Sequence, residues 1–323
     1  MLKLIYIVEY EKKRSKYMKK QLVRSLSFLF CLSSTLLSCG GSNTPSTNNP
    51  SVEPSINTSS EEQKYSEKES NKLDPVVTEQ ETAFNVNDLY KINDGPLPYR
   101  LHLPKNYNGG IYHYPVLIFL HGAGERGNNN ESQLKNAVQN LFNDLNSPIY
   151  QSIAIFPQCP SETNTEDNDL NQWVDTPWSK GNYSVDEVPE SNDLKAVLQI
   201  LNELKDKYSV NNKRIYVMGL SMGGFGTWDL IMRHTDLFAG AIPICGGADT
   251  SYAHKLVDMP IYTIHGTSDD VVPYTGTKSM VETIKNLGGT SITYEELNGY
   301  GHNVWDYASK KAGLMEWLFS NRK

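Results

Sequence analysis

The chain has 323 residues, 38% of them hydrophobic and 10% aromatic, which is enough apolar content for one sizeable core. Its 30 Lys and Arg against 37 Asp and Glu give a formal net charge of −7, which argues against nucleic-acid binding because no cationic field is available to meet phosphates. Neither an H-E-x-x-H run nor a Cys/His cluster is present, so no metal and no cofactor are expected.

The first feature in chain order is the short basic region Met18 to Arg24, followed by an apolar segment, Leu26 to Leu37, and then Ser38-Cys39-Gly40. The apolar run is too short to read as a membrane span. A small residue before cysteine after a leucine run resembles the lipobox of bacterial lipoproteins. That resemblance implies cleavage before Cys39, lipidation of its thiol, and a place in the bacterial cell envelope, anchored to a membrane and facing outside the cytoplasm. A plain secretory signal or a buried helix is the alternative. Glu9 and Glu11 fit a signal poorly, so residues 1–39 read as a leader whose expected start is Met18. Residues 40–81 are Ser, Thr, Asn, Pro and Glu with hardly an aromatic, and are expected to form a disordered tether. Random-coil scaling gives it a reach of roughly 30 to 40 Å. Residues 82–323 form the expected catalytic domain.

Within that domain, apolar runs predict strands at Tyr99–Leu103, Tyr114–Leu120, Ile153–Phe156, Arg214–Met218, Phe238–Ile244, Pro260–Ile264 and Ser291–Leu297. Helical spacing predicts helices at Ser132–Leu145, Asn192–Lys207, Gly223–Arg233, Thr275–Leu287 and Asp306–Phe319. The alternation implies an α/β class fold with a mostly parallel central sheet, helices on both faces and no separate lid domain. Reactive side chains are then expected at the C-terminal ends of the strands.

The motifs sit at those ends. After the second strand comes His121-Gly122-Ala123-Gly124-Glu125-Arg126-Gly127, a glycine-rich loop able to turn amides toward an anion, with Ala123 N–H as the expected donor. Glu125 and Arg126 read as a local ion pair shaping that loop, or as contacts to a substrate group. The stretch from Gln158 to Asp193 is too long for an ordinary connection and holds Trp173, Trp178 and Tyr183. Trp173 is a candidate for the substrate cleft, and Trp178 for a buried anchor. Gly219-Leu220-Ser221-Met222-Gly223 is a G-x-S-x-G run between a strand and a helix, where a sharp turn would lift Ser221 clear of the sheet. A serine hydroxyl needs a base, a group that orients the base, and oxyanion donors. Met222 N–H is the second expected donor. The acid candidate is Asp269 in His265-Gly266-Thr267-Ser268-Asp269-Asp270, with Asp270 and then Asp249 as the alternatives. The base candidate is His302, whereas His121 and His265 read as structural, each donating to a backbone carbonyl.

The order Ser221, Asp269, His302 is that of α/β-hydrolases. The four segments that carry Ala123, Ser221, Asp269 and His302 resemble the phospholipase/carboxylesterase and dienelactone-hydrolase-like branch of that superfamily, especially its predicted-peptidase and feruloyl or acetylxylan esterase-like members. The resemblance spans roughly Leu89 to the C-terminus, and implies a Ser221–Asp269–His302 triad and an ester substrate that is small or linked to polysaccharide. It leaves open a serine peptidase of the same fold, and a non-catalytic glycan-binding surface lipoprotein. Cys159 and Cys245 are expected at the ends of strands separated by two others, too far apart for a disulfide.

Overall fold

The computed structural model describes residues 72–75, 84–161 and 172–323. All of them belong to the compact unit Thr58–Lys323. The proposed leader, Cys39 and most of the proposed tether lie outside the described residues.

Among the described residues, eight strands form one sheet: β1 (Tyr90–Ile92), β2 (Tyr99–His102), β3 (Tyr114–Leu120), β4 (Ile153–Pro157), β5 (Val210–Leu220), β6 (Gly240–Ile244), β7 (Ile261–Gly266) and β8 (Ile292–Leu297). Their spatial order is β1-β2-β4-β3-β5-β6-β7-β8. β1 and β2, and β2 and β4, pair antiparallel, while every pair from β4 through β3 to β8 is parallel. This is the mostly parallel α/β sheet expected from the sequence.

Strand periodicity explains why the central runs are apolar without interruption. Along β3, Val116, Ile118 and Leu120 enter one core layer while Leu117 and Phe119 enter the other. β5 divides in the same way, with Ile215 and Val217 on one side and Tyr216, Met218 and Leu220 on the other. Both faces are buried, so both must be apolar.

Among the helices, α1 (Val138–Leu141), α2 (Asn192–Lys207), α3 (Met222–Arg233), α4 (Tyr274–Asn286), α5 (Trp305–Ser309) and α6 (Leu314–Ser320), the second has the bounds its sequence predicts. Ser191 caps it by accepting from Leu194 N, and Leu194, Val197, Ile200, Leu201 and Leu204 bury one face. Two predicted helices are corrected. Ser132–Leu145 is a 3₁₀ turn, Ser132–Leu134, followed by α1, broken where Ala137 takes φ 65°. Asp306–Phe319 is two short helices, α5 and α6, separated by Gly313 at φ 78°. β1 had no counterpart in the sequence reading.

Within the expected tether, residues 72–75 are described and contact the domain. Leu73 forms a parallel bridge with Tyr112, and Lys72 Nζ donates to Gly109 O and Ser209 Oγ at 2.8 and 2.7 Å. Asp74 meets His113, Arg214 and Arg322. A carboxylate surrounded by that many cationic or protonatable partners fixes residues 72–75 to the domain despite their polar composition.

Candidate active site

Ser221 makes the whole turn between β5 and α3, with φ 54° and ψ −116°. Such a conformation costs a non-glycine residue about 1–3 kcal/mol and persists only where its surroundings impose it. Here Ser221 N–H donates to Ile244 O at 2.9 Å, and Ser221 O accepts from Phe225 N at 3.0 Å. Two glycines make the geometry possible. A Cβ on Gly219 would stand 2.3 Å from Gly223 O, and one on Gly223 would stand 2.0 Å from Leu120 O. α3 is buried from Met222 to Met232, so Ser221 sits at the start of a helix covered along its length.

The hydroxyl of Ser221 donates to His302 Nε2 at 2.8 Å. On the other side of that ring, His302 Nδ1–H donates to Asp269 Oδ2 at 2.7 Å. The Asp269 side chain has no exposed surface. Its Oδ1 accepts from Val271 N and Val272 N, both at 2.9 Å, and its Oδ2 also accepts from His265 Nε2 at 3.1 Å. Burial opposes ionisation, but the His265, His302 and backbone donors outweigh it and hold the carboxyl well below the usual aspartate range. Asp269 therefore stays charged and fixes the tautomer that leaves Nε2 free to take a proton.

The glycine-rich loop after β3 lies beside this turn. β3 ends at Leu120, and Ala123–Glu125 form a single 3₁₀ turn after Gly122. A Cβ on Gly122 would come 2.8 Å from Leu220 Cδ1, so the loop packs against the residue preceding Ser221. Ala123 and Met222 each open a helical turn, where N–H groups lack an intrahelical acceptor.

Two tentative substrate contacts are corrected. Trp173 is fully buried: its indole N–H donates to His121 O at 3.0 Å and its ring fills the space beside Gly226. Trp178, expected to be the anchor, is only partly covered and lies under the Arg126 guanidinium, 5.8 Å from its ring centroid. Glu125 is 5% exposed and accepts from Asn136 Nδ2, while burial pushes its carboxyl above the usual glutamate range. Arg126 Nε donates back to Ala123 O at 3.0 Å. Both side chains thus brace the glycine-rich loop.

The remaining acids separate clearly. Asp270 is exposed, and Asp249 caps the turn at Thr250–Lys255 while accepting from Val185 N at 2.8 Å. His121 donates from Nδ1 to Gly122 O and accepts from Cys159 N at Nε2, and burial lowers it to about 4. Cys159 and Cys245 are free and buried, at the ends of β4 and β6 with β3 and β5 between them.

Three neighbours of the site were not assigned to it from sequence. His265 touches Asp269, Trp305 stands edge-on to the His302 ring at 5.3 Å, and Cys245 places its thiol within 4.8 Å of an Asp269 carboxylate oxygen and a His302 ring nitrogen. The i, i+4 spacing of His265 and Asp269 was the one available signal.

Comparison with known proteins gives a consistent picture. The phospholipase/carboxylesterase family model matches residues 108–312. A bifunctional acetylxylan esterase/xylanase of Neocallimastix patriciarum is 34% identical over 89 residues, 27% of this chain and 13% of that protein. Lysophospholipase-like protein 1 of Mus musculus is 26% identical over 238 residues, 69% of this chain and 94% of that protein. The crystal structure of a thermostable esterase superposes with a TM-score of 0.60 at 34% identity, covering 74% of this chain and 64% of that one. The chain therefore spans only a small part of the acetylxylan esterase/xylanase and just under two thirds of the thermostable esterase.

Proposed function

We propose that this chain, which belongs to the phospholipase/carboxylesterase family, is a serine carboxylesterase working through an acyl-enzyme. The observation that carries the reading is the continuous hydrogen-bond chain from Ser221 Oγ through His302 to Asp269. Ser221 Oγ attacks the ester carbonyl as its proton passes to His302 Nε2, and Asp269 steadies the imidazolium. The Ala123 and Met222 amides hold the oxyanion, each such donor being worth about 10² to 10³ in turnover. As the tetrahedral intermediate collapses, the C–O bond breaks and His302 returns the proton to the leaving alcohol. Water then gives a proton to His302 as its oxygen adds to the acyl carbonyl; the bond from the acyl carbon to Ser221 Oγ breaks, His302 returns the proton to Oγ, and the acid is released.

For the substrate, the 34% identical stretch shared with an acetylxylan esterase/xylanase favours acetyl esters of xylan, and the motif resemblance to feruloyl esterase-like members adds feruloyl esters of plant polysaccharide. The lipobox-like Leu36-Leu37-Ser38-Cys39 favours a lipid anchor on the envelope with the enzyme facing outward. Metabolic labelling with radioactive palmitate tests the anchor: label should enter the wild type and be absent from Cys39→Ala, and label in both rejects it.

Turnover of p-nitrophenyl acetate, acetylated xylan, methyl ferulate, a lysophospholipid and a peptide anilide, measured beside Ser221→Ala, tests the enzyme. Ester hydrolysis that falls by about 10⁴ to 10⁶ in the variant is the expected result. Turnover of the anilide alone would reject the esterase for a peptidase. No turnover, together with no labelling by a serine-directed phosphonate, would reject catalysis.

A further inference from the structure

Hydrogen-bond polarity around His265 decides how many protons its ring carries. The ring is fully buried. Its Nε2 lies 3.1 Å from Asp269 Oδ2 and 3.0 Å from Val272 O, and a carboxylate and a carbonyl can only accept, so Nε2 bears a hydrogen. Nδ1 lies 2.9 Å from Thr277 Oγ1. That hydroxyl has one hydrogen, and its oxygen also sits 2.8 Å from Gly246 O, another pure acceptor. If the hydrogen goes to Gly246, Thr277 meets Nδ1 as an acceptor and Nδ1 must carry a hydrogen too. The neutral alternative turns the hydroxyl toward Nδ1 and leaves two oxygens 2.8 Å apart with no proton between them.

We propose that His265 is a buried imidazolium and a positioning residue for the catalytic pair, orienting Asp269 and offsetting part of its charge. The role rests on the serine-hydrolase reading above. Its logic is electrostatic. A buried aspartate with uncompensated charge would hold a proton on His302, and a protonated His302 cannot take one from Ser221. A cation on the far side of the same carboxylate weakens that hold, while the donated hydrogen bond keeps Oδ2 aimed at His302. The ionised Asp269 carboxyl, held low by its donors, is the partner this arrangement requires. The titratable groups around this core are Asp269 on the same turn, Cys245 at the end of β6, His302 from the loop after β8, and Glu296, the register partner of His265 on β8. α4 contributes the uncharged Thr277 and, beside it, Lys278, which pairs with Glu296 at 3.3 Å.

Imidazole nitrogen NMR of the ¹⁵N-labelled protein at pH 7, with signals assigned through His265→Gln and His302→Gln, reads the ring directly. Protons on both nitrogens of His265 are expected, and a single proton overturns the proposal. The second readout is the titration midpoint of His302 by the same spectra. It should rise by about half to one pH unit in His265→Gln, and move the same way by less in Thr277→Val, where Nδ1–H loses its acceptor. An unmoved midpoint in folded His265→Gln overturns the proposal. Should His265→Gln fail to fold, the wild-type spectrum and Thr277→Val decide it alone. Neither readout uses a substrate, so failure of the esterase reading would show separately, in absent turnover and absent phosphonate labelling.

Discussion

Asp269→Asn isolates the tautomer argument, because four donors converge on one carboxylate. Oδ1 takes two backbone amides at 2.9 Å, and Oδ2 takes His302 at 2.7 Å and His265 at 3.1 Å. An asparagine offers one accepting oxygen and one donating nitrogen, so in either orientation its NH₂ faces two donors. The backbone amides cannot change polarity, which sends the amide oxygen to Val271 and Val272 and the NH₂ toward the imidazoles. His302 Nδ1 must then accept, its proton moves to Nε2, and Nε2 can no longer take the hydrogen of Ser221. Protease precedent puts the loss near 10⁴ in kcat, which is about 5 kcal/mol of transition-state stabilisation. The assay is kcat/KM on p-nitrophenyl acetate, with a thermal melt to confirm folding and Asp270→Asn alongside as an exposed neighbour expected to change little. Activity of Asp269→Asn within tenfold of wild type would refute the tautomer argument.

Other substitutions probe the frame of the site. Trp173→Ala should cost about 3–5 kcal/mol in urea unfolding, and unchanged stability with a raised KM would restore the cleft position expected from sequence. Gly223→Ala pushes a methyl to 2.0 Å from Leu120 O, a backbone atom that cannot yield, so a loss above about 4 kcal/mol is expected; a wild-type melt would rule out the close approach. Asp229, 1% exposed, accepts from Arg233 Nε and Tyr183 Oη, both at 2.8 Å, and Asp229→Asn should cost about 3–5 kcal/mol by leaving Arg233 without its anion; a shift below 1 kcal/mol would show the pair is not needed. Burial lowers His102 to about 4, below its unfolded value near 6.5, so the unfolded chain takes up the proton first. Its contribution is complete above pH 6.5 and fades toward pH 4, about 2 kcal/mol being lost between pH 7 and pH 5. Glu125, Asp193 and Asp229, raised by burial, act with the opposite sign, so the comparison is with His102→Phe, whose loss over that interval should be smaller by this amount; equal losses would contradict the neutral buried ring.

Local rules carried much of the fold. The β3 run from Tyr114 to Leu120 reads as a strand buried on both faces because both layers need apolar side chains, and α2 reads correctly because Ser191 and five core-facing residues mark its start and its inner face. The rule fails in residues 132–145. Leu134, Val138, Leu141 and Phe142 have helical spacing and are buried as that spacing implies. Distant partners nonetheless impose a different backbone: Gln133 Nε2 donates to Phe156 O, and Asn136 reaches Glu125. Tertiary hydrogen bonds override spacing there, and a three-residue strand such as β1 is too short to show any period at all.

The site divides along the same line. Ser221 could be found because one turn must satisfy a positive φ and two close backbone approaches, and those demands are written in adjacent glycines. The tryptophans could not be sorted, since a long loop states that aromatic rings are present but not which ring finds the gap beside Gly226. His265 is the harder case. Its contact with Asp269 spans four residues, but its proposed charge follows from Thr277, twelve positions on, and from Gly246, which lies 31 positions before that threonine. Each contact alone fits a neutral structural histidine, as the sequence suggested. Only their polarity taken together calls for two protons, and polarity of that kind exists only once β6, β7 and α4 have been brought to one place.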